Sequence, residues 1–181
     1  MKNKKLAILL SCFLSLALSG CGYTTRSLIA GKYKTINIAP FVNKIELTLE
    51  SNSNNKYKVY RPMLETEVTR AVINNFLYDG NVKPVAEDIA DLALKGELVE
   101  FRRDALRYTT SDDVEEYRIN IVVNMSLWDK KNTALVWEEK NFTGSATYFV
   151  TGPQAESEDQ AVQGAIRDLS RRIVERVVEQ W

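Results

Sequence analysis

Glu116-Tyr117-Arg118-Ile119-Asn120-Ile121-Val122-Val123-Asn124-Met125-Ser126-Leu127-Trp128 alternates almost without a break. Tyr117, Ile119, Ile121, Val123, Met125 and Leu127 fall on one side of an extended chain. Arg118, Asn120, Asn124 and Ser126 fall on the other. A period of two over this length predicts a long strand with one face buried and one face wet. Lys130-Lys131-Asn132-Thr133 then reads as a hairpin turn. Ala134 to Val150 reads as a returning strand through Leu135, Trp137, Phe142 and Tyr148.

Upstream, Asp91 to Arg103 places Leu92, Leu94 and Leu98 on one face. Gly96 interrupts that face and implies a twist or a close backbone approach. Val99 and Phe101 fall on the opposite side, so this strand is either covered on both faces or bulged. Tyr108 to Asp113 is a polar turn. Lys34 to Pro40 alternates through Ile36 and Ile38 and reads as a first strand, with Val82 to Ala86 a short extended piece. Leu64, Val68, Ala71, Val72 and Phe76 have helical spacing. Pro62 suits the first helical position and Gly80 suits the stop. A second helix opens with Ser157 and Gln160 at capping-box spacing. Its buried stripe is Val162, Ala165, Ile166, Leu169, Ile173 and Val177, with Arg171 and Glu175 paired outside. The order is β-α-β-β-β-α. It predicts an α+β two-layer sandwich: roughly four mostly antiparallel strands with two helices on one face. Asn43 to Tyr60 fits this scheme least. Ile45, Leu47 and Leu49 alternate, then Ser51-Asn52-Ser53-Asn54-Asn55 has the composition of a turn, so the stretch is an inserted hairpin or loop.

The amino end is of another kind. Lys2, Lys4 and Lys5 precede an apolar run from Leu6 to Leu18, which ends in Leu18-Ser19-Gly20-Cys21. Basic, then apolar, then small residues is the layout of a secretory leader. The run is shorter than the roughly 20 residues a membrane-spanning helix needs. Leu-Ser-Gly-Cys also resembles the bacterial lipobox, in which the cysteine is acylated; the alternative is an ordinary cleaved leader with an incidental cysteine. Of the two cysteines, Cys12 leaves with the leader, and a lone exported thiol fits acylation. The expected organisation is a signal peptide at 1–20, a lipidated tether at 21–33 and a folded domain at 34–181. Several acyl chains anchor firmly where one does not. The lipobox resemblance implies an N-acyl group and an S-diacylglycerol on Cys21. Gly22 stands where an aspartate would favour the inner membrane, which favours the outer membrane, with the domain on its periplasmic side.

Composition limits the chemistry. The chain has 24 basic and 24 acidic residues and no histidine. Loss of three lysines with the leader leaves a slightly acidic domain, which is no nucleic-acid footprint. Without histidine or a spare cysteine, His/Cys metal sites and Ser–His or Cys–His catalysis are excluded. Asp112-Asp113 and Glu115-Glu116 are the remaining acid pairs. They flank a polar turn and read as solvated, although a carboxylate hydrolase would need such pairs facing each other in a pocket. No enzyme activity and no cofactor beyond the anchor lipid are expected.

This order behind a lipobox resembles the lipopolysaccharide-assembly lipoprotein family LptE. The matching stretches are Cys21-Gly22-Tyr23; Lys34 to Phe41 with Asn43-Lys44; Leu64 to Thr69; and Leu94 to Leu98. Further along they are Glu116-Tyr117-Arg118 with Ile121 to Asn124, and Trp137 to Gly144 followed by Ser145 to Phe149. Asn43 to Tyr60 is longer than the family's usual link. The resemblance implies a non-catalytic plug of the outer-membrane β-barrel LptD, binding lipopolysaccharide and helping place it in the outer leaflet. A pilotin-like adaptor of another secretion channel is the alternative. Lipopolysaccharide joins anionic phosphates to acyl chains, so a site for it combines Lys or Arg with aromatic groups. Arg102, Arg103, Arg107 and Tyr108 are the candidates; they serve equally to keep a strand end soluble. The family's binding is ascribed to basic residues in two neighbouring loops, and the second of these, after Tyr148, has no Lys or Arg before Arg167. Lys130 and Lys131 read as a solvated turn at the opposite end. Asn120, Asn124, Ser126, Thr143 and Ser145 suit a wet barrel lumen and bulk water alike.

Overall fold

The computed structural model describes residues 31–45 and 61–179. The leader, Cys21 and positions 46–60 of the inserted stretch lie outside them. The described chain forms β1 (Thr35–Ile38), β2 (Val42–Asn43), α1 (Leu64–Asp79), β3 (Lys83–Pro84), a short 3-10 turn (Glu87–Ile89), β4 (Leu92–Tyr108), β5 (Val114–Asp129), β6 (Ala134–Phe149) and α2 (Glu158–Glu179). The sheet order is β3-β1-β4-β5-β6, with β2 also on β4. β4, β5 and β6 are an antiparallel meander, while β1 and β2 run parallel to β4. The fold is thus the expected α+β sandwich, with six strands rather than four. The two additional ones are two residues long and take their place from their neighbours.

β5 follows its pattern. Ile119, Ile121, Val123, Met125 and Leu127 are all buried in one core with α1 and α2. β4 departs from strict alternation because it is bulged. Pairing with β5 slips between Leu98 and Glu100, so Val99 is the extra residue and Phe101 returns to the core beside Leu98. A second slip at Leu106 lies near the far end. The glycine in this strand has a packing reason. A Cβ on Gly96 would fall inside the ring of Phe41, which the turn between β1 and β2 folds over the strand.

α1 buries Leu64, Val68, Val72 and Phe76. Gly80 ends it in the left-handed region at φ 72°, donating to the Phe76 carbonyl at 3.1 Å. Pro62 is not its first residue. Met63 takes φ 64° as the cap and leaves Pro62 in the preceding turn. The capping box of α2 is present in both directions. Gln160 N–H donates to Ser157 Oγ at 3.3 Å, and Ser157 N–H donates to Gln160 Oε1 at 3.0 Å. The whole expected stripe of α2 is buried, and Ala161, Val174 and Val178 widen it. It approaches the sheet closely at Gly144, where a Cβ would lie 2.5 Å from the Leu169 Cα. No described helix is long and apolar enough to cross a membrane.

Candidate functional site

Three places are set by this fold: the sheet face opposite the helices, the far end of the meander, and the end where the chain enters the domain.

The face opposite the helices, free of helix among the described residues and called the helix-free face, carries alternate residues of β4, β5 and β6. Cross-strand register puts Asn120 opposite Ser145, Ser126 opposite Glu138 and Arg118 opposite Thr147. Asn124, Ser126, Thr143 and Ser145 share this face, as the sequence pattern requires. Asn120 differs from them: it is only 6% exposed and donates to Asp104 Oδ2 at 2.7 Å, so it holds the sheet together. A shallow groove of about 430 Å³ crosses the face near β2, bordered by Val42, Lys95, Glu97, Ser126, Trp128 and Leu135. The Lys95 ammonium stands 5.7 Å from the Trp128 ring centre.

The far end holds Arg102, Arg103, Arg107 and Tyr108, and the fold separates them. Arg102 lies on the helix-free face between Glu100 at 3.2 Å and Asp104 at 2.8 Å. Arg107 is on that face too, 3.6 Å from Glu116 and over the Phe149 ring at 5.5 Å. Arg103 points the other way, to the helix side, because successive strand residues face opposite sides. There it meets Glu158 of α2 at 2.5 Å and stacks on Tyr117 at 4.7 Å. Tyr117 in turn stacks on Tyr148 at 5.8 Å, and the Tyr148 hydroxyl donates to Glu158 at 3.4 Å. Burial opposes the charge on Arg103; Glu158 and Tyr148 more than offset it and hold its pKa above the ordinary range. Burial, above all, raises the Tyr148 phenol. Tyr108 is exposed beside the turn. Each arginine of the group therefore has a carboxylate partner, and Arg103 fastens α2 to the meander. The loop after β6 does lie at this end. It folds back on the strand, with Glu156 N–H donating to the Phe149 carbonyl at 2.9 Å. Asp112 and Asp113 are exposed in the β4–β5 turn.

The entry end has a polar lock that the linear pattern did not reveal. Tyr33, counted with the tether in the sequence, is buried, and its hydroxyl donates to the buried Asp129 at 2.7 Å. Asp129 also accepts from Lys131 N–H at 2.9 Å and Asn132 N–H at 3.2 Å, which shapes the β5–β6 turn. Asp91 accepts from Lys34 N–H at 3.0 Å and Thr35 N–H at 3.2 Å, and pairs with Lys131 at 2.7 Å. The bond from Lys131 and then the one from Lys34 hold the Asp91 carboxyl well below the usual carboxylate range. Lys131 is thus a lock residue as well as a turn residue, and Lys130 donates to the Glu87 carbonyl. Tyr33 and Asp129 are 96 positions apart, and Asp91 lies 57 and 56 positions from Lys34 and Thr35, so no local spacing betrays these bonds.

Among solved structures, the fold is similar to a hypothetical protein from Chlamydia trachomatis. Identity is 14% over 80% of this chain and 95% of that one, with a TM-score of 0.52. The PelC dodecamer from Paraburkholderia phytofirmans matches at 18% identity over 81% and 89%, TM-score 0.46. The rare lipoprotein B from Shewanella oneidensis matches at 14% over 78% and 89%, TM-score 0.44. No curated protein matches the sequence. The family described as LptE, lipopolysaccharide-assembly, matches residues 33–181, from the buried Tyr33 to the end of the chain. With nearly the whole folded unit matched, the chain belongs to the LptE lipopolysaccharide-assembly family.

Proposed function

We propose that this protein is a lipoprotein acylated on Cys21 and held at the periplasmic side of the outer membrane. There it partners an LptD-like β-barrel in placing lipopolysaccharide in the outer leaflet, and it carries out no covalent chemistry. Family membership over residues 33–181 is the observation that carries this reading. The leader and Leu18-Ser19-Gly20-Cys21 supply the anchor. The helix-free sheet face supplies the contact. It offers Asn, Ser, Thr and balanced charge rather than a large apolar patch, and such a face can exchange water for the polar wall of a barrel lumen.

The candidate arginines enter this reading as an acid-paired set. A lipopolysaccharide phosphate would compete with Glu100, Asp104 and Glu116 for Arg102 and Arg107, next to exposed Tyr108. Arg103 contributes by fixing α2 beside them.

The decisive experiment isolates the full-length protein with its anchor intact and identifies what accompanies it. An LptD-sized barrel is expected, and depletion of the protein is expected to lower surface lipopolysaccharide. Capture of a different secretion channel, with unchanged surface lipopolysaccharide, would replace this reading with that of an adaptor.

A further inference from the structure

β6 is sixteen residues long and lies at the end of the sheet order. Among the described residues, the strand pairing on its outer side is limited to a single-residue bridge, Phe149 to Ala155. A long edge strand with open backbone groups invites pairing with another chain. The opposite edge, β3, is two residues long and offers little.

α2 reaches over this edge. Asp168 Oδ2 accepts from the backbone N–H of Ser145 at 3.1 Å. Arg172 Nη1 donates to the backbone carbonyl of Thr143 and stacks 5.0 Å from the Phe142 ring. These backbone groups point away from β5, where a further strand would bond. Asp168 is itself held, since its Oδ1 accepts from Arg171 at 2.9 Å. The next residue in the row, Arg176, pairs with Glu139 at 2.5 Å and stacks on Trp137 at 4.8 Å. A row at i, i+4, i+8 of a helix advances about 6 Å per step. Two residues of a strand advance about 6.6 Å. The step from Asp168 to Arg172 therefore keeps pace with the step from Ser145 to Thr143; the next, from Arg172 to Arg176, spans the irregular stretch of β6 and reaches Glu139. Farther along, the edge is closed by Glu156 on the Phe149 carbonyl.

We propose that Asp168 and Arg172 are an edge guard: they occupy the outward donor of Ser145 and the outward acceptor of Thr143, and so block strand addition by a second copy of this chain. The guard uses side chains of a helix already fixed by its buried stripe, and it leaves the helix-free face open.

The test compares self-association of the full-length protein in density-matched detergent by sedimentation equilibrium. The double variant Asp168→Ala, Arg172→Ala is expected to associate more tightly than the parent, on the order of tenfold, because two charge-assisted bonds no longer compete with the incoming strand. Adding Ser145→Pro removes the outward donor at an edge position that tolerates proline, and is expected to return association to the parental level. Parental association in the double variant, or tightened association that Ser145→Pro leaves unchanged, would overturn the proposal. Should the double variant lose its helical circular dichroism, Arg172→Gln alone is read in the same assay. Tighter association there supports the guard, and unchanged association overturns it.

Discussion

On β5, Ile119, Ile121, Val123, Met125 and Leu127 point to the helices and are buried, whereas Arg118, Asn124 and Ser126 point away and keep contact with solvent. The covered face is close-packed. Gly144 sits against the backbone of α2 and Gly96 against a ring, so there is no space to add even a methyl group. The other face is a surface of paired charges, amides and hydroxyls, in which Asn120 and Asp104 are internal struts. One strand thus serves two purposes that separate by residue parity. Substitutions on the first face should act on folding, and substitutions on the second should act on what the protein meets.

Four measurements would break or sharpen that division. The largest effect is expected for Leu169→Ala, which empties a fully buried site between α2 and Gly144. A loss of about 2–5 kcal/mol in urea unfolding is expected; a loss near zero would mean that this face is not close-packed. Gly144→Ala should cost about 1–3 kcal/mol in the same assay, since the new methyl group meets backbone rather than a side chain that can turn away.

The third measurement is a pH series at the entry end. The Asp91 carboxyl is held low when folded, so its contribution is complete above the ordinary carboxylate pKa of about 3.9 and is lost as the pH falls below that value toward the folded one. Calorimetry should show a melting temperature that drops below about pH 4. The Asp91→Asn variant should start lower at neutral pH and fall less steeply; an equal slope would remove Asp91 from the account. The smallest effect on stability belongs to Arg118→Glu, at an exposed position of the helix-free face. Stability should change by no more than about 0.5 kcal/mol, while recovery of the barrel partner should drop. Unaltered recovery would move the contact away from this part of the face.

The contrast between the faces also explains what could be read in advance. β5 was legible because the face toward the helices is buried from Ile119 to Leu127, which keeps that side apolar at every second residue; Val122, buried on the other face, is the break in the pattern. β4 was half legible: the bulge at Val99 shifts parity by one, and only the glycine and the crossed apolar faces hinted at it. β2 and β3 have two residues each, too few to carry a period; they exist because β4 and β1 present edges beside them. Adjacency in sequence did not show that the arginine group is divided between the two faces. Arg102 and Arg103 are neighbours in sequence and therefore opposites in a strand, and the partner of Arg103, Glu158, is 55 positions away. The Tyr33 lock depends on contacts of still longer range. Such pairings follow from the finished topology and leave no periodic trace.

The Tyr33 lock has a mechanical consequence. On the proposed anchoring at Cys21, tension from the membrane would enter the domain at Tyr33, whose hydroxyl is bonded to the end of β5. Immediately after it, β1 lies between two parallel neighbours, β3 and β4. A pull along that strand loads its hydrogen bonds side by side, in shear, instead of opening them one at a time from an end. Under that anchoring the domain would bear load at the point where the chain enters it.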